Sequence, residues 1–139
     1  MLKLNDHFLD RIHTHARATY PEECCGFLIG TTTTEKRVLR ILSASNSNRQ
    51  SRRNRYSIDP VEIVRADDAA QRARLDLVGI YHSHPDAPSQ PSHIDRQYAW
   101  PMYTYLIISI ENRIAKEVGA WQLSGEERTF QSEDMRIIE

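Results

Sequence analysis

Tyr81-His82-Ser83-His84-Pro85-Asp86-Ala87-Pro88-Ser89-Gln90-Pro91-Ser92-His93-Ile94-Asp95 follows directly on the apolar run Leu77-Val78-Gly79-Ile80. A short continuous apolar run predicts a strand covered on both faces, inside a sheet rather than at its edge. Side chains two apart in an extended chain share a side, so His82 and His84 converge on one point. A proline-bearing loop follows, and Ser92-His93-Ile94-Asp95 then opens a predicted helix. Ser92 is placed as its N-cap and Asp95 at the third helical position of a capping box. A capped start also directs the Asp95 carboxylate, so a strand end offers two imidazoles and a helix start one carboxylate. Catalytic zinc is held by three protein ligands with a fourth position left open, whereas structural zinc is closed by four. No fourth ligand is offered nearby, which predicts an open site. A second H-x-H, His13-Thr14-His15, falls in a predicted helix, where i and i+2 point apart, and reads as two exposed surface residues.

His82-Ser83-His84, seven residues, Ser92, two residues and Asp95 together match H-S/T-H-x7-S-x2-D. This pattern resembles the JAMM (MPN+) metallopeptidases, whose members hydrolyse peptide or isopeptide bonds at the C-terminus of ubiquitin and related small proteins. The family also uses an upstream glutamate within a proline-x-Glu-x-Cys-Gly pattern. Pro21-Glu22-Glu23-Cys24-Cys25-Gly26 supplies it, and the alignment selects Glu23 over Glu22. The resemblance runs from about the first helix to Trp121, departs from the family at no motif position, and is closest to the short, stand-alone prokaryotic branch. It implies an α/β fold with a mixed β-sheet flanked by helices, in a three-layer, cytidine-deaminase-like architecture. It further implies one zinc per chain on His82, His84 and Asp95, with Glu23 as general base; Ser92 is the candidate donor to the developing oxyanion or serves only to cap its helix.

The chain has 139 residues, enough for one domain spanning 1–139 with a real core. A hydrophobic content of 40%, a charged content of 27% and a net charge of −1 describe an ordinary soluble protein. The near-zero charge argues against general nucleic-acid or anionic-membrane binding. No apolar run approaches the about 18 residues that span a bilayer. The start Met1-Leu2-Lys3-Leu4-Asn5-Asp6-His7 lacks a signal-peptide pattern. Cys24 and Cys25 are neighbours in a predicted strand and point to opposite faces, so both read as free, buried thiols of a reducing cytoplasm.

Taken in order, Asn5 or Asp6 caps a predicted helix to about Ala18, with Phe8, Leu9, Ile12 and Ala16 on its apolar face. Pro21 ends it, Cys24 to Ile29 forms a buried strand, and Glu23 stands at that strand's start. Gly30 to Thr34 turns into Arg37–Leu42, a half-exposed strand. Ser43 to Arg55 is rich in Ser and Asn and predicts a mobile loop. Its arginines, Arg49, Arg52, Arg53 and Arg55, read as solvated charges or as a patch that would steer an acidic protein. Tyr56-Ser57-Ile58 predicts a short strand, and Asp59, Pro60 and Glu62 then mark a capped helix to about Arg74, with Ile63, Val64 and several alanines for packing. After the histidine segment, a helix from Ser92 to about Trp100 ends at Pro101. Strands follow at Tyr103–Ile110 and Ile114–Leu123, and Phe130–Ile138 adds a last strand or packs down.

Ser83, between the two histidines, faces away and carries no chemistry. His93 matches no family ligand and reads as a surface residue or a neighbour of the site. The oxygen-and-nitrogen set alone does not choose zinc over iron or manganese; the resemblance favours zinc. A zinc deaminase would need a His-x-Glu pair and a Pro-Cys-x-x-Cys segment, and neither exists here. The function expected is hydrolysis of an amide bond after the C-terminal Gly-Gly of a ubiquitin-like or sulfur-carrier protein. Two alternatives stay open: a zinc peptidase for short peptides or amino-acid conjugates, and a non-catalytic MPN scaffold.

Overall fold

Val78 and Tyr81 point to one face of the central strand and Leu77 and Ile80 to the other, and each pair enters a separate apolar cluster. This two-sided burial follows from the unbroken apolar run, and it gives the sheet a helix on each face. The computed structural model describes residues 1–139. Eight strands form one mixed sheet with three helices: β1 (Leu2–Asn5), α1 (Asp6–Thr19), β2 (Cys25–Thr31), β3 (Lys36–Ala44), α2 (Pro60–Arg72), β4 (Asp76–Pro85), α3 (His93–Tyr98), β5 (Thr104–Glu111), β6 (Ile114–Leu123), β7 (Phe130–Glu133) and β8 (Met135–Ile138). The strand order is β7-β6-β5-β4-β2-β3-β1-β8. β4 runs antiparallel to β2 and parallel to β5, which buries it between two neighbours.

Ile12 and Ala16 of α1 pack with Leu2, Leu28, Val38, Val78 and Leu106 on one face. Ala66 and Ala70 of α2 pack with Phe27, Ile29, Leu77 and Ile80 on the other. Small side chains on the inner face of α2 let it lie close to the sheet, and Val64, expected to pack, is exposed. β7 and β8 occupy opposite edges of the sheet, yet only Asp134 separates them in the chain. The sheet must therefore curl until its edges meet. Lys36 Nζ of β3 closes that end by donating to Thr104 Oγ1 (2.8 Å) and Glu133 Oε1 (3.2 Å).

Several local expectations change. β1 was not anticipated: Leu2 and Leu4 alternate with polar residues, but four residues carry too little pattern, and their partners β3 and β8 are distant in sequence. Tyr56-Ser57-Ile58 is irregular rather than a strand, because no neighbouring strand is available to pair with it. Asn5 precedes α1 without a side-chain cap. Asp59 does cap α2, accepting from the Val61 amide at 2.9 Å, and Pro60 opens it. Glu62 completes no capping box; its carboxylate reaches the Ser45 amide instead. The tail supplies two strands rather than one. No helix is long and apolar enough to cross a membrane.

Candidate metal centre

The antiparallel register of β2 and β4 pairs Cys25 with His82, and the Ser83 amide donates to the Cys24 carbonyl at 3.1 Å. Continued by two residues, that register sets Glu23 opposite His84. Glu22, one residue earlier, is exposed, whereas Glu23 is buried at 4%. The Ser83 hydroxyl lies on the opposite face, as expected, and accepts from the Cys24 amide at 2.8 Å, bracing the two strands beside Glu23.

Ser92 caps α3, accepting from the Asp95 amide at 3.0 Å, while Asp95 Oδ2 accepts from the Ser92 amide at 2.9 Å. The capping box is thus complete, and it aims the same Oδ2 at the histidines. His84 Nε2 lies 2.9 Å from it and His82 Nε2 3.2 Å, with 3.1 Å between the two imidazole nitrogens. Three potential ligand atoms therefore form a nearly equilateral triangle. A tetrahedral ion with bonds of about 2.0–2.1 Å holds its ligands about 3.3 Å apart, so this triangle fits such an ion with an opening of a few tenths of an ångström. Glu23 stands further back, its carboxylate grouping with the two imidazoles within 4.8 Å.

The polar atoms around this point are not all satisfied by protein. Glu23 Oε1 and His82 Nδ1 are buried without a hydrogen-bond partner. An unpartnered buried carboxylate oxygen costs stability and suggests a ligand or water for it to meet. His84 is oriented differently: its Nδ1–H donates to the Pro88 carbonyl at 2.9 Å, which leaves Nε2 facing Asp95. Burial pushes the Glu23 carboxyl up to about 8, against the nearby His84, which lowers it. Burial would also raise Asp95, but the charge and hydrogen bonds of His82 and His84 prevail and hold it well below the usual range. Burial lowers His82, whereas the Asp95 hydrogen bond overrides burial and raises His84.

Tyr56 and Asn46 were missed. The Tyr56 ring stacks on His82 with centroids 4.4 Å apart and planes at 24°. Asn46 gathers the loop that carries it. Its Nδ2 donates to the carbonyls of Glu23 (3.1 Å) and Arg55 (2.9 Å), and its Oδ1 accepts from the amides of Asn48 and Ser57. The Ser43 to Arg55 stretch, expected to be a mobile loop, begins within β3, and its remainder is cross-linked in this way to the strand bearing Glu23. An isolated Tyr or Asn in a polar loop gives no sequence signal for either contact. His15 also departs from expectation: Nδ1 lies 2.7 Å from the Tyr81 hydroxyl, and the ring is half-buried. His93 is exposed, and both cysteines are free and buried.

A cavity of about 380 Å³ opens beside the cluster, with Asp95 and Tyr56 on its inner wall and Ile63, Tyr98, Trp100 and Tyr105 around it. Ser92 is exposed at the helix start, and its hydroxyl hydrogen is not consumed by the cap, since Oγ acts there as acceptor.

Residues 5–124 match the sequence family described as prokaryotic homologs of the JAB domain. A desampylase from Haloferax volcanii is 37% identical over 110 residues, covering 76% of this chain and 78% of the relative. A probable TtuB-protein conjugate cleaving protease from Thermus thermophilus is 30% identical over 103 residues, covering 74% of this chain and 66% of the relative. The crystal structure of a JAB1/MPN domain protein from Archaeoglobus fulgidus superposes with a TM-score of 0.63, covering 99% of each chain. At 14% identity, that likeness concerns the fold alone.

Proposed function

Since this chain belongs to the prokaryotic homologs of the JAB domain, we propose that it is a zinc-dependent hydrolase. It cleaves the amide bond after the C-terminal Gly-Gly of a small ubiquitin-like or sulfur-carrier protein. The observation that carries this is the triangle of His82 Nε2, His84 Nε2 and Asp95 Oδ2, faced by the orphaned Glu23 Oε1. His82, His84 and Asp95 would hold the ion. When bound, zinc supplies a Lewis acid that polarises a carbonyl oxygen and lowers the pKa of water toward about 7.

The rest of the reaction belongs to the chain's own groups. Glu23 Oε1 has no protein partner, so it is free to take a proton from the attacking water and return it to the departing nitrogen. Burial raises its proton affinity, so its carboxylate, once ionised, takes up a proton more readily than an exposed one does. The Ser92 hydroxyl, exposed and still able to donate, stabilises the developing oxyanion, a contribution of about 3 kcal/mol when the donor is pre-placed. The cavity beside Asp95 receives the segment leading to the scissile bond, and residues without side chains reach the cluster from it most easily. The relative from Thermus thermophilus is described as cleaving TtuB-protein conjugates, which supports a protein-conjugate substrate.

Mass spectrometry of a carrier extended beyond its Gly-Gly, incubated with zinc-loaded protein, tests the proposal. Release of the carrier ending in Gly-Gly is expected. An intact carrier together with ready cleavage of unrelated short peptides would replace this function with a general peptidase.

A further inference from the structure

We infer that the basic lip formed by β3 and the 45–58 segment is a docking surface for an acidic face of the carrier protein. This deepens the function proposed above and rests on it. Between Lys36 and Ile58 the chain carries seven lysine or arginine residues and no acidic one. The remaining residues hold eleven basic groups against nineteen acidic ones, so the net charge of −1 conceals a strong separation. Lys36 is used internally, in its pair with Glu133. Arg37, Arg40, Arg49, Arg52, Arg53 and Arg55 are all exposed.

What sets these arginines apart is their clustering without an intervening acid; elsewhere arginines are scattered among acidic residues, and Arg72 pairs with Asp68. Clustered guanidinium groups left unpaired repel one another and raise the local potential, which steers oppositely charged proteins toward the surface.

Position ties the lip to the site. The Glu23 amide donates to the Arg52 carbonyl at 2.6 Å, and Asn46 bonds the carbonyls of Glu23 and Arg55 through one carboxamide. Arg55 also lines the cavity that reaches Asp95. Arg52, Arg53 and Arg55 are therefore carried on backbone held against the candidate general base, not on a loose tail, whereas Arg40 and Arg37 extend the charge along β3 away from it. A carrier whose tail occupies the cavity would bring its folded body against this lip. Leu39 and Leu42 are exposed on the same strand and offer apolar contact among the arginines. That mixture suits a protein face better than a phosphate backbone.

Arg49→Glu combined with Arg53→Glu tests the inference, because both side chains are exposed and neither touches the metal-binding cluster. Two substrates are compared: an acidic ubiquitin-fold carrier extended beyond Gly-Gly, and a short peptide with the same tail. For the folded carrier at low salt, kcat/KM should fall about tenfold or more with kcat little changed, while the peptide is cleaved as by the unaltered protein. The unaltered protein should lose rate on the carrier as salt rises, and the variant should not. A carrier whose acidic residues are replaced by amides should be cleaved equally by both proteins. Equal loss on carrier and peptide, or no loss on either, overturns the inference. If the unaltered protein cleaves neither substrate, the proposed function fails, and binding of the labelled carrier, followed by anisotropy, decides docking separately: weaker binding by the variant supports it and equal binding overturns it. Single-stranded RNA bound more tightly than the carrier at the same salt, and released by the same substitutions, would reassign the lip to nucleic acid.

Discussion

The Tyr56 ring lies stacked on the His82 imidazole, at 4.4 Å between centroids and 24° between planes. His84 is held by a hydrogen bond from Nδ1 to the Pro88 carbonyl, but His82 Nδ1 has no partner. Ring orientation at His82 therefore depends on packing against Tyr56. Tyr56→Leu is expected to weaken metal affinity about 10–100-fold, the usual effect of losing an outer support, while Tyr56→Phe keeps it. Competition against a chelator of known affinity measures both, and equal affinity in the leucine variant would refute the role.

Asp95 serves the helix and the cluster at once, through a single oxygen. His82→Ala and Asp95→Ala are each expected to abolish stoichiometric zinc, because each removes one of the three proposed ligands. Elemental analysis reads this directly. Chelation should lower the melting temperature of the unaltered protein and leave both variants unmoved, since a ligand stabilises only the state that binds it.

Glu23→Gln should retain the metal and the fold and lose about 10²–10⁴-fold in turnover, because an amide cannot carry the proton. Glu22→Gln, on an exposed side chain, should be nearly silent. Steady-state rates beside metal content separate the two, and a reversed order would show that the wrong glutamate has been assigned.

Burial pushes the Cys24 thiol up to about 11, and burial with the neighbouring Cys24 raises Cys25 further. A raised thiol pKa keeps both groups protonated, and thus unreactive, well above neutral pH. A disulfide reagent at pH 8 should find no thiol in the folded protein and two after denaturation. Rapid labelling of the native chain at that pH would contradict the burial.

Gly79 of β4 sits against β5, where an added Cβ would lie 1.9 Å from the Thr104 carbonyl oxygen. Backbone cannot move aside as a side chain can, so Gly79→Ala should cost at least about 1–3 kcal/mol. Urea unfolding followed by circular dichroism measures it, and an unchanged midpoint would mean that the two strands separate freely.

Much of the candidate metal centre's geometry was legible because its signals are local. Strand spacing puts His82 and His84 on one side, and the Ser92-x-x-Asp95 box both starts α3 and aims a carboxylate, all within a few residues of chain. The central placement of β4 was legible too, since burial on both faces requires an unbroken apolar run. Glu23 could be singled out only through its wider motif, because what brings it opposite His84 is the β2–β4 register, across about sixty residues of chain. β1 became a strand by pairing with the distant β3 and β8, and β8 by pairing with β1 across the whole chain, while the sheet's curl follows from the one-residue link between its two edges and is closed by Lys36, Thr104 and Glu133. Tyr56 on His82 and the Asn46 hub likewise have no period or spacing to announce them. Local pattern records which way a side chain points along its own element, whereas contacts between distant elements depend on how those elements pack, and that was settled only by the tertiary structure.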